Sequence, residues 1–280
     1  MIKADLHIHS NYSDGSDEIE VLASKILEAK IDVFALTDHD TVEGCEEMLK
    51  IIGDKVKFIP SVELTCKAGN VKCHILGYNC DCKNPVLLNL IDKGKDLRKK
   101  KLETRIKYLK DTWNIELTED ELKWLYSRKS VVKTHIANIL VNRGLAHDNV
   151  SAMKKYLDGC KSGDTRFTGE EAINAIIEAG GIPIWAHPLG GEGEEHITPE
   201  EFYKKFETMK SLGIRGLECH YSRYTDDEAS FLLDVCRQNN LFITGGSDYH
   251  GTNKDIPLGK LNVEARFIDA SSLTILNKLT

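Results

Sequence analysis

Apolar positions along the chain change their period again and again, and the changes mark out elements. Ile2–Ile8 is a short apolar run of strand length, Ile19–Ala29 carries apolar residues at helical spacing, and Val33–Leu36 is short and apolar again. The rhythm recurs. Val56–Leu64, Cys73–Tyr78, Ile182–Ala186, Gly216–Cys219 and Phe242–Thr244 are further strand candidates, several of them preceded by amphipathic helical runs. Strands alternating with helices predict parallel βα units, hence an α/β barrel or a doubly wound sheet.

From Pro85 to about Gly163 the alternation stops. Leu102, Ile106, Leu109 and Trp113 follow at spacings of 4, 3 and 4, one face of a helix, and Leu122, Leu125, Ile136, Ile139 and Leu140 predict two more helices. These stripes read as core. The expected division is a body of residues 1–84 and 164–280, with a mainly helical insertion, or cap, of residues 85–163.

Charge sharpens that division. Residues 93–161 hold 17 Lys or Arg and 9 Asp or Glu, net +8, and the whole chain is −7, which leaves −15 elsewhere. A basic cap on an acidic body predicts that the cap helps to hold an anionic ligand over the body. For Arg98–Lys101 alone an ordinary solvated helix is the preferred reading. No basic ladder interleaved with aromatics occurs, so duplex DNA is not an expected partner.

With 280 residues, 41% hydrophobic and 29% charged, the chain can bury a substantial core. No run approaches the roughly 18 apolar residues of a membrane span, and the N-terminus does not read as a signal peptide. A soluble cytoplasmic protein with no membrane partner is expected. The eight cysteines then read as reduced thiols. Cys80-x-Cys82 with Cys73 and His74 imitates a small zinc site, but no second Cys-x-x-Cys completes it, and packed thiols are expected.

Candidate chemistry sits at the predicted strand ends, where parallel α/β folds bind ligands. In DLHIHSNYSDG, His7 and His9 stand two apart on a strand, so both imidazoles project from one side and can converge on a cation, with Asp14 following in the loop. LTDHDT adds His39, SVELT adds Glu63, the next strand His74, AHP His187, LECH His220, and GSDYHG both Asp248 and His250. Without His220 these are six histidines and three carboxylates, too many for one four-coordinate ion. Two or three divalent ions are expected, with a bridging carboxylate and open positions for water and substrate. Mixed imidazole and carboxylate ligands suit Mn, Fe or Zn. Asp5, Asp38 and Asp40 are candidates to orient the imidazoles, and Asp40 alternatively to cap the helix that starts near Thr41. The chain has no G-x-S-x-G elbow, no Walker-type phosphate loop and no G-x-G-x-x-G opening a helix after a strand. Without these motifs no protein nucleophile is indicated, which is consistent with a metal-bound hydroxide in that role, the expected mechanism.

Taken in order, DLHIHSNYSDG, LTDHDT, VE, the His74 strand, AHP and GSDYHG resemble the motifs of the polymerase and histidinol phosphatase (PHP) family of metal-dependent phosphoesterases, over most of the chain. The resemblance implies a distorted seven-stranded (β/α) barrel with a three-metal cluster at its C-terminal face. It implies that His7, His9, Glu63 and Asp248 surround one metal, that Glu63 bridges to a second held by His74 and His187, and that Asp14, His39 and His250 bind a third. None of the nine positions departs from the expected ligand type.

Within the insertion, VKTHIANILVNRG resembles a segment, typically with Arg-Thr-His, of stand-alone bacterial members that act on 3′,5′-bisphosphorylated nucleotides and on 5′ ends of short RNAs. This implies substrate contacts from Lys133, His135 and Arg143, although Lys133 in place of arginine loses the bidentate fork. For Arg143 the alternative is neutralising the C-terminal end of its helix. After AHP, where related enzymes often carry an arginine, this chain has LGGEGEEHIT, whose glycines predict a mobile loop. Arg223 in HYSRYT is the candidate to supply the missing charge, and His220 to protonate the leaving alcohol or hold a phosphate oxygen. Surface and core roles are the alternatives for these two. The expected activity is a phosphatase on a small phosphorylated substrate, a nucleotide such as a 3′,5′-bisphosphonucleotide. Alternatives are a 5′-to-3′ exonuclease on short single-stranded oligonucleotides, a histidinol-phosphate phosphatase and, least favoured, a non-catalytic metal-binding module.

Overall fold

Each short apolar run becomes a strand in the computed structural model, which describes residues 2–128, 131–161, 167–192, 194–261 and 266–279. The strands are β1 (Lys3–Ile8), β2 (Val33–Leu36), β3 (Lys57–Ala68), β4 (Val71–Tyr78), β5 (Phe167–Thr168), β6 (Ile182–Trp185), β7 (Gly216–Tyr221), β8 (Phe242–Gly246), β9 (Lys260–Leu261) and β10 (Arg266–Asp269). The helices are α1 (Ile19–Glu28), α2 (Glu43–Ile52), α3 (Pro85–Trp113), α4 (Glu119–Tyr126), α5 (Lys133–Asn142), α6 (Asn149–Ala152), α7 (Gly169–Glu178), α8 (Pro199–Ser211) and α9 (Asp226–Asn239). Among the described residues, no helix is long and apolar enough to cross a membrane.

The ten strands of the described residues join one sheet in the order β8-β7-β6-β4-β3-β2-β1-β10-β9, with β5 paired to β3, more than the seven expected. The additions β5, β9 and β10 have two to four residues, too few to show a period. The sheet curls until its ends nearly meet. Just past β8, Asp248 N–H donates to His7 O at 2.9 Å, and His9 N–H donates to Tyr249 O at 2.9 Å. The result is a nearly closed, barrel-like mixed sheet with helices around it.

The all-parallel expectation fails at β4. Only Gly69 and Asn70 separate β3 from β4, a hairpin turn with no room for a crossover, so β4 runs antiparallel to both β3 and β6. Gly69 supplies the positive φ of 59° that the turn uses. Reversal places His74 in the first half of β4, opposite Thr65 of β3. Its approach to the site is therefore from the start of a strand.

The core lies on both faces of the sheet. In β2, Val33 and Ala35 pack with Leu6, Leu76 and Ile184, whereas Phe34 and Leu36 pack with Leu22, Ile26 and Met48 of α1 and α2. Helices α7, α8 and α9 bring Ile173, Ile176, Phe202, Phe206 and Leu232 against the remaining strands. In the predicted insertion, Leu102, Leu109, Leu125, Ile136, Leu140 and Tyr156 form a separate cluster. Trp113 stands at its edge, 39% exposed, its ring 5.0 Å from that of Tyr156. Helix α3 belongs to both bodies, because its first turns bury Leu87, Leu90 and Ile91 in the cluster of α7–α9. The expected end of the insertion, at Gly163, lies outside the described residues.

Barrel closure depends on one glycine. A Cβ on Gly246 would lie 2.2 Å from His7 Cβ and 2.4 Å from His7 N, so β8 can back onto β1 only where the side chain is missing. Gly246→Ala is expected to destabilise the fold by about 1–3 kcal/mol, read as a lower denaturation midpoint. An unchanged midpoint would mean that the two strands part without cost.

Candidate metal centre

The pleat of β1 and its extension sends His7 and His9 to one side, with ring centroids 5.2 Å apart. Glu63, midway along β3, meets them. Its Oε2 lies 3.3 Å from His7 Nε2, 3.2 Å from His9 Nε2 and 3.1 Å from His39 Nδ1. Its Oε1 lies 3.0 Å from His74 Nδ1 and 3.2 Å from His187 Nε2. Asp248 Oδ1 is 3.5 Å from His7 Nε2, 3.4 Å from His9 Nε2 and 3.4 Å from His250 Nδ1. Asp14 Oδ1 is 3.1 Å from His250 Nε2 and 3.6 Å from His9 Nδ1, and its Oδ2 is 3.9 Å from His39 Nε2. The structure thus brings all nine residues of the expected ligand set together.

Their chemistry fits divalent cations. His7 Nε2, His9 Nε2, Asp14 Oδ1, His39 Nδ1 and His74 Nδ1 are buried and make no well-formed hydrogen bond. Such atoms are costly unless something else satisfies them. Three overlapping groups bring their ligand atoms within 4.8 Å of one another: His7, His9 and Glu63; His39, Glu63 and His74; and His9, Asp14, His39 and His250. Imidazole nitrogen and carboxylate oxygen are the usual donors for divalent transition metals.

Without a cation the carboxylates recruit protons instead. Burial pulls His7 and His9 down, but the surrounding carboxylates outweigh it, lifting His7 well above the usual histidine range and His9 to about 9. Burial likewise pushes Asp14, Glu63 and Asp248 up, yet the surrounding imidazoles, with Lys254 beside Asp248, hold all three well below the usual carboxylate range. A cation replaces those protons with its own charge.

Glu218 of β7 orients one imidazole and anchors the backbone of another ligand, a role that carries no sequence motif. His7 Nδ1 donates to its Oε1 at 2.8 Å, which turns His7 Nε2 toward Glu63, and His187 N–H donates to its Oε2 at 2.8 Å. Strand alternation in GLECHY was the available signal, since it puts Glu218 in the middle of β7, where it is fully buried. The same alternation misplaces His220. Pairing with β8 shifts register between Glu218 and His220. His220 packs against Gly245, outside the lining of the metal cavity, and burial followed by the charge of Arg266 lowers its pKa.

The three aspartates bond backbone N–H groups, serine hydroxyls and Arg98 instead of imidazoles. Asp38 accepts from Ser10 N–H at 2.8 Å, Ser10 Oγ at 2.6 Å and Ser13 Oγ at 2.5 Å, pinning the loop that carries Asp14. Asp5 accepts from Ser247 N–H at 2.9 Å, Ser247 Oγ at 2.6 Å and Gly259 N–H at 2.7 Å, fixing the approach to Asp248; burial pushes its pKa to about 6. Asp40 accepts from Thr65 N–H at 2.8 Å and from Arg98, and it does not cap α2. Asp40, His187 and Asp248 have positive φ values of 49°, 28° and 56°. Such conformations cost energy and persist only when over-determined. Each of the three N–H groups is tied into the site, to Glu63 O, Glu218 Oε2 and His7 O respectively.

A cavity of about 230 Å³ lies over the cluster, and Thr134, Asn149, Val150 and Met153 from the predicted insertion line it. None of these is charged, which corrects the expectation of a basic cap directed at the site. Lys133 pairs with Asp158, and Arg143 pairs with Glu121 and donates to Glu116 O at 2.9 Å. His135 is buried, with Nδ1 accepting from Val132 N–H at 3.1 Å and its ring 5.4 Å from that of Trp124. Burial takes it down to about 4, with Asp14 and the Ser13 backbone pulling the other way. The lysine of the cavity is Lys254, unanticipated from the sequence, whose Nζ donates to Asp248 Oδ2 at 2.6 Å; Tyr221 Oη donates to the same oxygen at 2.9 Å. The cysteines are free thiols, and neither Cys80 nor Cys82 joins a group that could hold a metal among the described residues.

A mixed sheet whose mouth carries clustered imidazoles and carboxylates defines a metal-binding hydrolase, and the comparisons with known proteins agree. Residues 5–164 match the model of the PHP domain, so the chain belongs to that family and is a metal-dependent hydrolase of phosphate esters. It is 31% identical over 264 residues to a 5′-3′ exoribonuclease of Haemophilus influenzae, covering 92% of this chain and 93% of that one. It is 28% identical over 255 residues to a 3′,5′-nucleoside bisphosphate phosphatase of Chromobacterium violaceum, covering 89% and 88%. In fold it resembles the solved structure of an amidohydrolase from Chromobacterium violaceum, with a TM-score of 0.85 at 22% identity over 99% of this chain and 95% of that one.

Two outcomes follow from this geometry. Glu218→Gln should lower metal affinity by about 10–100-fold, measured by calorimetry, with the circular dichroism spectrum unchanged; wild-type affinity would contradict the orienting role. His9 has its folded pKa raised from 6.5 to about 9, so its contribution to the metal-free protein is fully present below 6.5 and lost as pH rises through 9. Metal affinity should rise over that same window, with protons released into the buffer, and a flat profile would contradict the exchange.

Proposed function

We propose that the chain is a phosphatase acting on phosphorylated nucleotides through a cluster of three divalent ions, Mn, Fe or Zn. The observation that carries this is Glu63, whose two oxygens face two different sets of imidazoles at 3.0–3.3 Å, the arrangement of a carboxylate bridging two cations. His7, His9 and Asp248 complete one seat and His74 and His187 the second. Asp14, His39 and His250 make the third, with His39 turning Nδ1 to Glu63 and Nε2 to Asp14. We read β8-β7-β6-β4-β3-β2-β1 as the distorted seven-stranded barrel, and residues 85–163 as its cap.

Bound divalent ions lower the pKa of coordinated water toward neutrality and neutralise charge on the phosphoryl group. The chain's own residues position and exclude. Ser10 and Ser13 spend their hydroxyls on Asp38, consistent with hydrolysis without a protein nucleophile. Val150 and Met153 put apolar surface over the cluster, limiting water to the reacting position. An outer cavity of about 1020 Å³ shares Asn149, Val150, Glu192, Asn253 and Lys254 with the inner one. The inner cavity is below the roughly 300 Å³ usual for a whole ligand, so the reacting phosphate enters there and the nucleoside stays outside. Lys133 and Arg143, paired within the insertion, and His220, behind the register shift, have no part in this reading.

The relatives support a nucleotide phosphate as substrate, one being named a 3′,5′-nucleoside bisphosphate phosphatase and the other a 5′-3′ exoribonuclease. A second reading, trimming of short oligonucleotides from the 5′ end, is favoured by an outer cavity of about 1020 Å³, at the upper end of what a small ligand uses.

Incubating the Mn²⁺-loaded protein with 3′,5′-bisphosphoadenosine, AMP, histidinol phosphate and a 5′-phosphorylated short RNA tests both. Phosphate should be released fastest from the bisphosphate, with mononucleotides from the RNA if the second reading also holds, and silence on all four substrates would overturn the proposal. His9→Ala and Asp248→Ala should each cost more than about 100-fold in turnover in a folded protein. Near-normal turnover with unchanged metal content would overturn the ligand assignment.

A further inference from the structure

The wall shared by the inner and outer cavities carries three charged side chains, Lys254, Glu192 and, on its outer side, Arg223. Arg223 Nη2 donates to Glu192 Oε1 and to Asp255, and Lys254 Nζ lies 3.8 Å from Glu192 Oε2. Glu192 is thus a carboxylate held between a guanidinium and an ammonium, at the passage leading to the metal cluster. Its partnering is incomplete, because Glu192 Oε2 and Arg223 Nε are both buried without a hydrogen-bond partner among the described residues. A buried oxygen and a buried N–H left unpaired are costly, and a ligand that satisfied the guanidinium better would displace the carboxylate.

The other charged residues of the outer lining are acidic, Asp120, Glu121, Asp148 and Asp255, and His147 is its one other ionisable base among the described residues. An anion entering that cavity finds lysine and arginine together only at Lys254 and Arg223. Phosphate suits them, since it offers several oxygens to the planar guanidinium fork and full charge to the ammonium. Lys254 also donates to Asp248 of the metal cluster, so an anion bound there lies one side chain away from the reacting phosphate.

We propose that Arg223 and Lys254 form a seat for a second phosphate group of the nucleotide, a monoester or an internucleotide diester, and that Glu192 occupies this seat until substrate displaces it. The seat rests on the reading of the chain as a nucleotide phosphoesterase.

The test compares 3′,5′-bisphosphoadenosine, AMP and a 5′-phosphorylated adenylyl dinucleotide, each in direct binding and in kcat/KM, on the metal-loaded protein. Wild type should bind a doubly phosphorylated nucleotide about tenfold or more tightly than AMP. Arg223→Gln should reduce that preference at least tenfold at unchanged metal content, and Arg223→Lys should restore part of it. Glu192→Gln should tighten binding of the doubly phosphorylated nucleotide several-fold more than that of AMP. Loss confined to the bisphosphate assigns the seat to a monoester, and loss on the dinucleotide extends it to a diester. Absence of preference in wild type, or equal losses on AMP and the bisphosphate in Arg223→Gln, would overturn the seat; a Glu192→Gln protein that binds no better would overturn the displacement. If no substrate turns over yet bisphosphate binding still depends on Arg223, the phosphoesterase reading falls and the seat stands.

Discussion

One buried carboxylate sets the terms for the rest of the structure. Glu63 is 1% exposed and stands against the imidazoles of His7, His9, His39, His74 and His187. An uncompensated charge in such a place costs several kcal/mol. Either protons on the rings or cations between them must neutralise it, and a protein that binds metal uses the second. The cluster is therefore a store of negative potential whose stability is linked to whatever cation it holds.

Holding ligands from β1, β3, β4 and the loops after β2, β6 and β8 at one point is a problem of loop geometry, and the buried polar residues solve it. Asp38 fixes the loop after β1, Asp5 the loop after β8, and Glu218 both a ring of β1 and the backbone of His187. Three site residues sit at positive φ, each with its N–H anchored to another strand. Closure of the sheet at Gly246 brings the first and last of these segments together.

Much of this was legible in the sequence. The short apolar runs match β1, β2, β6 and β8 within about two residues, and the motifs name the nine residues that converge, although Glu63 and His74 lie inside their strands and not at the ends. What failed did so for identifiable reasons. A two-residue turn reversed β4, which composition-level alternation cannot show. The net positive charge of residues 93–161 does not reach the inner cavity, because the residues this segment contributes to its lining are Thr134, Asn149, Val150 and Met153, and charge counted along the chain does not say which side chains face a site. Glu218 and Lys254 carry no motif, and burial in the fold is what gives them a role. His220 stands near the end of β7 as its motif suggested, but a register shift against β8 follows Glu218, and His220 does not line the inner cavity.

The central claim is that Glu63 is shared between two cation seats. Anomalous diffraction at the manganese edge from Mn²⁺-loaded crystals measures this directly. The account predicts peaks on both sides of the Glu63 carboxylate, one beside His7, His9 and Asp248 and another beside His74 and His187. A single peak touching one Glu63 oxygen, or manganese bound away from Glu63, would contradict it.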